Sequence, residues 1–167
     1  MREYSFHIVN GHHLHPVLDP LYRQHFAEMK ARMERDGLPI GDYNPQLPDY
    51  FAAMDNGSLL TFIVLEKETI IGYSNVYLHN DMHTGELVAS EDTIYVLPEH
   101  RNGVGKKLVK FILAHLESLG VKRVTISPVT DLRVGKIWSR MGFRPVAELM
   151  VYNFGEQDVR SQGAERP

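Results

Sequence analysis

The residues of this chain best placed to do chemistry form one run, His100-Arg101-Asn102-Gly103-Val104-Gly105-Lys106. Its two glycines let the backbone turn sharply and come close to a ligand. Arg101 and Lys106 add positive charge beside them. An apolar helical period begins at Val104, so the run opens a helix. Helix starts present N–H groups without intrahelical partners, and the helix dipole favours an anion there. The pattern points to a diphosphate held largely by backbone groups. Two common diphosphate loops do not fit. A Walker-type loop needs a glycine, four residues, then Gly-Lys-Ser/Thr. Here position 100 is His, and Gly105-Lys106 is followed by Lys107. A dinucleotide fingerprint needs a third glycine where this chain has Leu108. A tight strand-to-helix connection that binds nothing stays open on this run alone.

Histidine is the second candidate. There are nine, with His12, His13 and His15 bunched together and His79 and His83 close in a polar stretch. Imidazoles at such spacing can ligate zinc. The chain has no Cys and no His-Glu-x-x-His helix, so no metal is expected. Histidines in loops are more often simply exposed.

Stepping outward, these residues need elements to hold them. Tyr4 to Val9 alternates and ends at Asn10-Gly11, which reads as a strand and turn. Asp19-Pro20 predicts a helix start, with Asp19 as N-cap, Tyr22, Phe26, Met29 and Met33 on one face, and Gly37 as the stop. Leu38 to Leu47 is a loop, and Asp49 to Met54 a short helix closed by Asn56-Gly57. Leu60 to Glu66 and Thr69 to Leu78 form an antiparallel hairpin. His79 to Gly85 is a polar loop. Leu87 to Val96 is a strand that is bulged or starts late. Val104 to Leu119 is a strongly amphipathic helix ended by Gly120. Val121 to Ser127 is a strand, and Asp131 to Met141 a helix stopped by Gly142. Phe143 to Phe154 supplies one or two more strands, and the polar residues from Gly155 onward form a tail. An antiparallel meander followed by a β-α-β crossover requires a mixed sheet with helices on both faces.

Composition narrows the function classes. At 167 residues the chain reads as one domain, long enough to bury a core. It is 43% hydrophobic and 23% charged, with a formal net charge of -3. That balance argues against a nucleic-acid binder. The absence of Cys removes disulfides and thiolate catalysis. Met1-Arg2-Glu3-Tyr4 has no apolar signal region, and no run reaches membrane-spanning length. A soluble cytoplasmic protein without membrane contact is the expectation.

The run from Val96 through Leu108 closely resembles the acetyl-CoA loop of the GNAT superfamily of N-acetyltransferases. That pattern is Gln/Arg-x-x-Gly-x-Gly/Ala between the fourth strand and third helix. His100 departs from it at the first position, with Arg101 beside it as a substitute charge. A second segment, Asp131 through Phe143, looks like the family's fourth helix, usually Asn-x-x-Ala-x-x-x-Tyr-x-x-x-Gly-Phe. Here Asp131 replaces Asn and Trp138 replaces Tyr. Two segments in the right order are far more specific than one glycine loop.

The resemblance implies a single α+β domain over residues 1–154, with a mixed six- to seven-stranded sheet and helices on both faces. Residues 155–167 would be the tail. It implies acetyl transfer from acetyl-CoA, as co-substrate, to a small amine, polyamine or protein amine, and a possible homodimer. The cofactor site would comprise Tyr95, Val96, the loop His100, Arg101, Asn102, Gly103, Val104, Gly105 and Lys106, then Asp131, Lys136 and Trp138. The pantetheine arm would pair along Tyr95 and Val96, with a backbone N–H near Val96 aimed at the thioester oxygen. For the base, Glu91 is the first choice and Asp92 the second; on a regular strand they face opposite ways, so one serves. An indole donates a hydrogen bond but does not supply a proton as a phenol does. Trp138 therefore leaves the acid to Tyr95 or Tyr152, or lets the thiolate leave unaided. His12, His13, Tyr43, His79 and Asp81 would line the acceptor pocket. Trp138 and Asp131 keep a non-catalytic acyl-CoA sensor on the same fold as the alternative, and an interaction domain with a purely structural loop as a third.

Overall fold

The computed structural model describes residues 2–127 and 132–154. Its elements run β1 (Tyr4–Val9), α1 (His15–Arg35), α2 (Leu47–Asp55), β2 (Leu59–Glu66), β3 (Thr69–Asn80), β4 (Leu87–Val96), α3 (Val104–Ser118), β5 (Arg123–Thr125) and α4 (Leu132–Arg140). The chain forms two compact units, Met1–Ile126 and Ser127–Pro167.

The first unit holds one five-stranded sheet in the order β1-β2-β3-β4-β5. β1 through β4 pair antiparallel, and β5 returns parallel to β4. Parallel pairing needs a crossover, and α3 supplies it. The sheet is covered on both faces because both are apolar. On one, Val104, Leu108, Ile112 and Leu116 of α3 pack on Phe62, Val64, Val76 and Val96. On the other, Leu18 and Leu21 of α1 pack on Ile63, Tyr73 and Tyr95. Burying such side chains contributes roughly 1.5–3 kcal/mol each. Gly11, after β1, permits the close approach of this turn to β2 and α2. A Cβ there would lie 2.3 Å from the Thr61 hydroxyl oxygen and 2.8 Å from Met54.

Several expectations need correction. The sheet has five strands rather than six or seven, because Phe143 to Phe154 forms no strand among the described residues. Val121 to Ser127 contributes only the three residues of β5. The first helix starts at His15, not after Asp19. Pro16 takes the first turn, Leu14 is the N-cap, and Pro20 lies inside the helix. The Asp19 carboxylate is used along the helix instead, accepting from Arg23 Nε at 2.7 Å and from the Tyr43 hydroxyl at 3.3 Å. α2 begins two residues earlier than predicted, with Pro48 in its first turn. β3 runs on to Asn80, so His79 belongs to a strand.

In the second unit, α4 ends at Arg140, Gly142 follows at φ 97°, and the buried Trp138 ring meets Phe143 edge-on at 5.1 Å. Lys136 is exposed on this helix. Tyr152 is also exposed, with its ring 5.1 Å from Phe154. Asp131 and residues 155–167 lie outside the described residues.

Candidate active site

Strand β4 carries the chemistry, and an irregularity in it decides which side chains face where. Thr93 pairs with Asn75 and Glu91 with Val76, which leaves Asp92 as an extra residue between them. Such a β-bulge re-aims side chains. A regular strand would send Asp92 and Thr93 to opposite faces. With the bulge, both line the same cavity of about 390 Å³ on the α1 face. Glu91 sits opposite Val76, which belongs to the core on the α3 face, and it is not among the residues lining the cavity.

The cavity lies between α1, the loop after it, α2, β3 and β4. Its walls are mainly aromatic: Tyr22, Phe26, Tyr43, Tyr50, Phe51 and Tyr73. Tyr22 meets Tyr73 edge-on at 4.6 Å, and Phe26 meets Tyr43 at 5.3 Å. The aromatic residues recur on α1 and α2 because each helix turns one apolar stripe inward.

Two carboxylates line this cavity, Asp42, which is paired with Lys30, and Asp92. Burial pushes the Asp92 carboxyl above the usual carboxylate range, and a bond from the Tyr50 hydroxyl (3.3 Å) only partly offsets that. Desolvation disfavours the charged form, so the carboxylate is a stronger base than an exposed one. Burial, with Asp92 nearby, likewise pushes the Tyr50 phenol up. Burial raises the Tyr22 phenol to about 12. Three buried polar atoms have no hydrogen-bond partner among the described residues: the Tyr22 and Thr93 hydroxyls and His15 Nε2. All three residues line this cavity. Leaving such groups unpaired costs about 1–3 kcal/mol each, which a polar ligand or water there would recover.

Next along β4, Tyr95 turns to α1. Its hydroxyl donates to Glu28 at 2.6 Å, and Arg101 donates to the other Glu28 oxygen at 2.8 Å. Burial pushes the Glu28 carboxyl up, but the bonds from Tyr95 and Arg101 outweigh it and the net displacement is down. Burial, then Glu28, raises the Tyr95 phenol to about 12. His25 stacks on Tyr95 (4.9 Å) and its Nδ1 meets the Tyr73 hydroxyl at 2.6 Å. Burial holds this imidazole near 4, so it is neutral at physiological pH. Glu28 and His25 lie one helical turn apart, but no sequence motif singles them out.

The end of β4 presents backbone to the outside. β4 pairs with β5 only over Val88–Ser90. Beyond that its outer edge has no strand partner among the described residues. Leu97 donates its N–H to Ile71 on β3, and successive residues alternate. Val96 therefore turns its N–H and carbonyl to the outer edge, where Arg101 Nε donates to that carbonyl at 2.8 Å.

The loop then opens α3. Gly103 is its N-cap at φ 87°, a left-handed conformation that favours glycine. Lys107 is the first residue to bond back into the helix, to Gly103 at 3.3 Å. The N–H groups of Val104, Gly105 and Lys106 have no backbone partner among the described residues. A Cβ at Gly103 or Gly105 would meet nothing within 4 Å, so this side of the loop is open to a ligand. These features fit a diphosphate. His100 is different: it is buried, and its Nδ1 lies 3.1 Å from both Arg2 and the Tyr4 hydroxyl. It pins the loop to β1, and Arg101 beside it is exposed.

The structure brings only some of the sequence-derived acceptor residues to the cavity. Tyr43 lines it. His12 bonds Asp55 at 2.9 Å and stacks at 4.0 Å on Phe51, itself a wall residue. His13 is exposed beside it. His79 is exposed on β3, opposite Val88. Asp81 caps its loop through the N–H groups of His83 and Thr84 and pairs with Arg123 at 2.7 Å. Neither His79 nor Asp81 lines the cavity. The residues missed were Tyr50, Tyr22, Thr93 and the pair Glu28–His25. Tyr22 was visible as an inward helical position, but nothing in its spacing separated wall from core. No group of three or more His, Asp or Glu among the described residues is placed to hold a metal ion. No helix of the described residues is long and apolar enough to cross a membrane.

Comparison with known proteins bears on the family and the fold. A family model described as the acetyltransferase (GNAT) family matches residues 23–143. No curated protein matches the chain by sequence. Many solved structures share the fold. An aminoglycoside acetyltransferase from an uncultured soil metagenomic sample is 14% identical, with a TM-score of 0.69, covering 92% of this chain and 99% of that one. Glucosamine-6-phosphate N-acetyltransferase from Arabidopsis thaliana is 12% identical, with a TM-score of 0.66, covering 91% and 99%. A predicted acetyltransferase with acetyl-CoA from Clostridium acetobutylicum is 13% identical, with a TM-score of 0.66, covering 93% and 99%. At these identities the likeness is one of fold.

Proposed function

Because this chain belongs to the acetyltransferase (GNAT) family, we propose that it transfers an acetyl group from acetyl-CoA to an amine held in the cavity at Asp92. The observation that carries this reading is the bulge. It turns a half-buried carboxylate, whose proton affinity desolvation raises, into an aromatic cavity on the strand that leads to the loop proposed to hold the diphosphate.

The cofactor side rests on backbone. The free N–H groups of Val104, Gly105 and Lys106 would hold the diphosphate, with Lys106 as a further charge. The Val96 N–H on the outer edge of β4 is the donor best placed for the thioester oxygen, where it would stabilise developing negative charge. On the acceptor side, an amine arrives as an ammonium ion, which has no lone pair. Asp92 takes its proton. The freed nitrogen pair forms the new C–N bond as the C–S bond breaks, the electron pair leaves on sulfur, and the nitrogen, now bearing positive charge, gives up its second proton to solvent.

The supply of a proton to that sulfur is not assigned to Tyr95. Its hydroxyl proton is already donated to Glu28 at 2.6 Å, and burial with Glu28 raises the phenol to about 12. Tyr95 instead positions Glu28 and Arg101 beside Val96. The thiolate of CoA leaves without a phenol donor and takes its proton from solvent.

Replacing the base tests this directly. Asp92→Asn should leave acetyl-CoA affinity within about twofold and lower kcat by roughly 10²–10⁴-fold with any accepted amine. Turnover at the wild-type rate in the variant would remove Asp92 from the mechanism.

A further inference from the structure

We infer that the acceptor is a small monoamine with an aromatic or alicyclic body, bearing a hydroxyl and no anionic group. This rests on the proposed acetyl transfer and narrows its acceptor.

Charge sets the first limit. No Lys or Arg lines the cavity. Of its two histidines, His25 is held near 4 and carries no charge at neutral pH, and His15 already faces the Asp19 carboxylate at 3.9 Å. An acceptor with a carboxylate or phosphate would bring an anion into a space that already holds Asp92 and offers no cation to pair with it. Burying an unpaired charge is costly.

The count of free carboxylates sets the second limit. Asp42 and Asp92 line the cavity. Asp42 is already paired with Lys30 of α1, whereas Asp92 has only the neutral Tyr50 hydroxyl as its bonded partner in the described contacts. One carboxylate is available, so one ammonium is matched. A polyamine would place its second charge among phenol and phenyl rings with no anion to receive it.

Shape and polarity set the third. Edge-on and tilted rings favour a flat or cyclic body. About 390 Å³ is at the small end of ligand pockets. The Tyr22 and Thr93 hydroxyls, which have no hydrogen-bond partner among the described residues, suit a polar group that a bare hydrocarbon ring lacks.

The test compares amines that differ by one feature each. Thiol release from acetyl-CoA is followed with tyramine, phenethylamine, tyrosine, phenylalanine and spermidine, and acetyl-CoA binding is measured separately. The expected result is turnover of tyramine and phenethylamine, with tyramine ahead. kcat/KM for tyrosine, phenylalanine and spermidine should be at least about 100-fold lower. A second arm uses Asn44→Arg, an exposed loop position that lines the cavity. It should narrow the tyramine-to-tyrosine ratio by about tenfold, since the new cation would pair the carboxylate. If tyrosine or spermidine matches tyramine, the acceptor class is overturned while acetyl transfer stands. If acetyl-CoA binds and no amine releases thiol, acetyl transfer itself falls and the acceptor class with it.

Discussion

At the scale of single residues, the site works through burial rather than through unusual residue types. Asp92, Tyr50 and Tyr22 are common side chains whose proton affinities are raised because partial burial strips away part of their hydration. His25 shows the same physics with the opposite sign. Burial holds it near 4 against an ordinary 6.5, with Arg32 and Arg101 adding to the effect and Glu28 opposing it. Between those values the unfolded chain binds a proton that the folded chain refuses. Stability is therefore full above about 6.5 and falls as the pH drops toward 4, by on the order of 3 kcal/mol. His25→Asn should make the melting temperature less sensitive to pH across that window. Parallel melting curves against pH for the two proteins would show that His25 is not the group responsible. Little of this was legible beforehand. Sequence named Asp92 beside Glu91, but exclusion of water depends on α1, α2 and the loop between them closing over β4.

At the scale of elements, legibility followed local cause. The amphipathic period of α3 and its glycine start were readable because each is set within a few residues. The hairpin of β2 and β3 was readable for the same reason. The start of α1 was not, because Pro16 and Pro20 give similar local signals and tertiary packing of Leu18 chose the earlier one. The bulge at Asp92 was anticipated only as an irregular strand; its position depends on register with β3, a nonlocal pairing. His100 illustrates the same limit, since its departure from the loop pattern makes sense only once β1 is seen beside it. Gly103 gives the clearest prediction at this scale. Gly103→Val must place a β-branched residue at φ 87° and put methyl groups on the open side of the loop. Its acetyl-CoA affinity should fall by at least about tenfold, read by calorimetry. Unchanged affinity would mean that the diphosphate binds elsewhere.

At the scale of the whole molecule, the sheet joins two functions along one strand. β4 enters beside β5, turns Asp92 and Thr93 into the cavity at its bulge, frees the Val96 backbone at its end, and leads into the loop that opens α3. The proposed acceptor and donor sites thus share a continuous piece of backbone. The absence of Cys in all 167 residues makes the reaction unusually easy to follow, because any free thiol that appears comes from CoA. The decisive measurement is to incubate the protein with acetyl-CoA and tyramine, titrate released thiol, and weigh the amine by mass spectrometry. The account predicts one acetyl group gained by the amine for each thiol released, with neither formed when the protein is omitted. Acetyl-CoA binding with no thiol and no acetylated amine across the amine panel would contradict it and leave a non-catalytic acyl-CoA-binding protein.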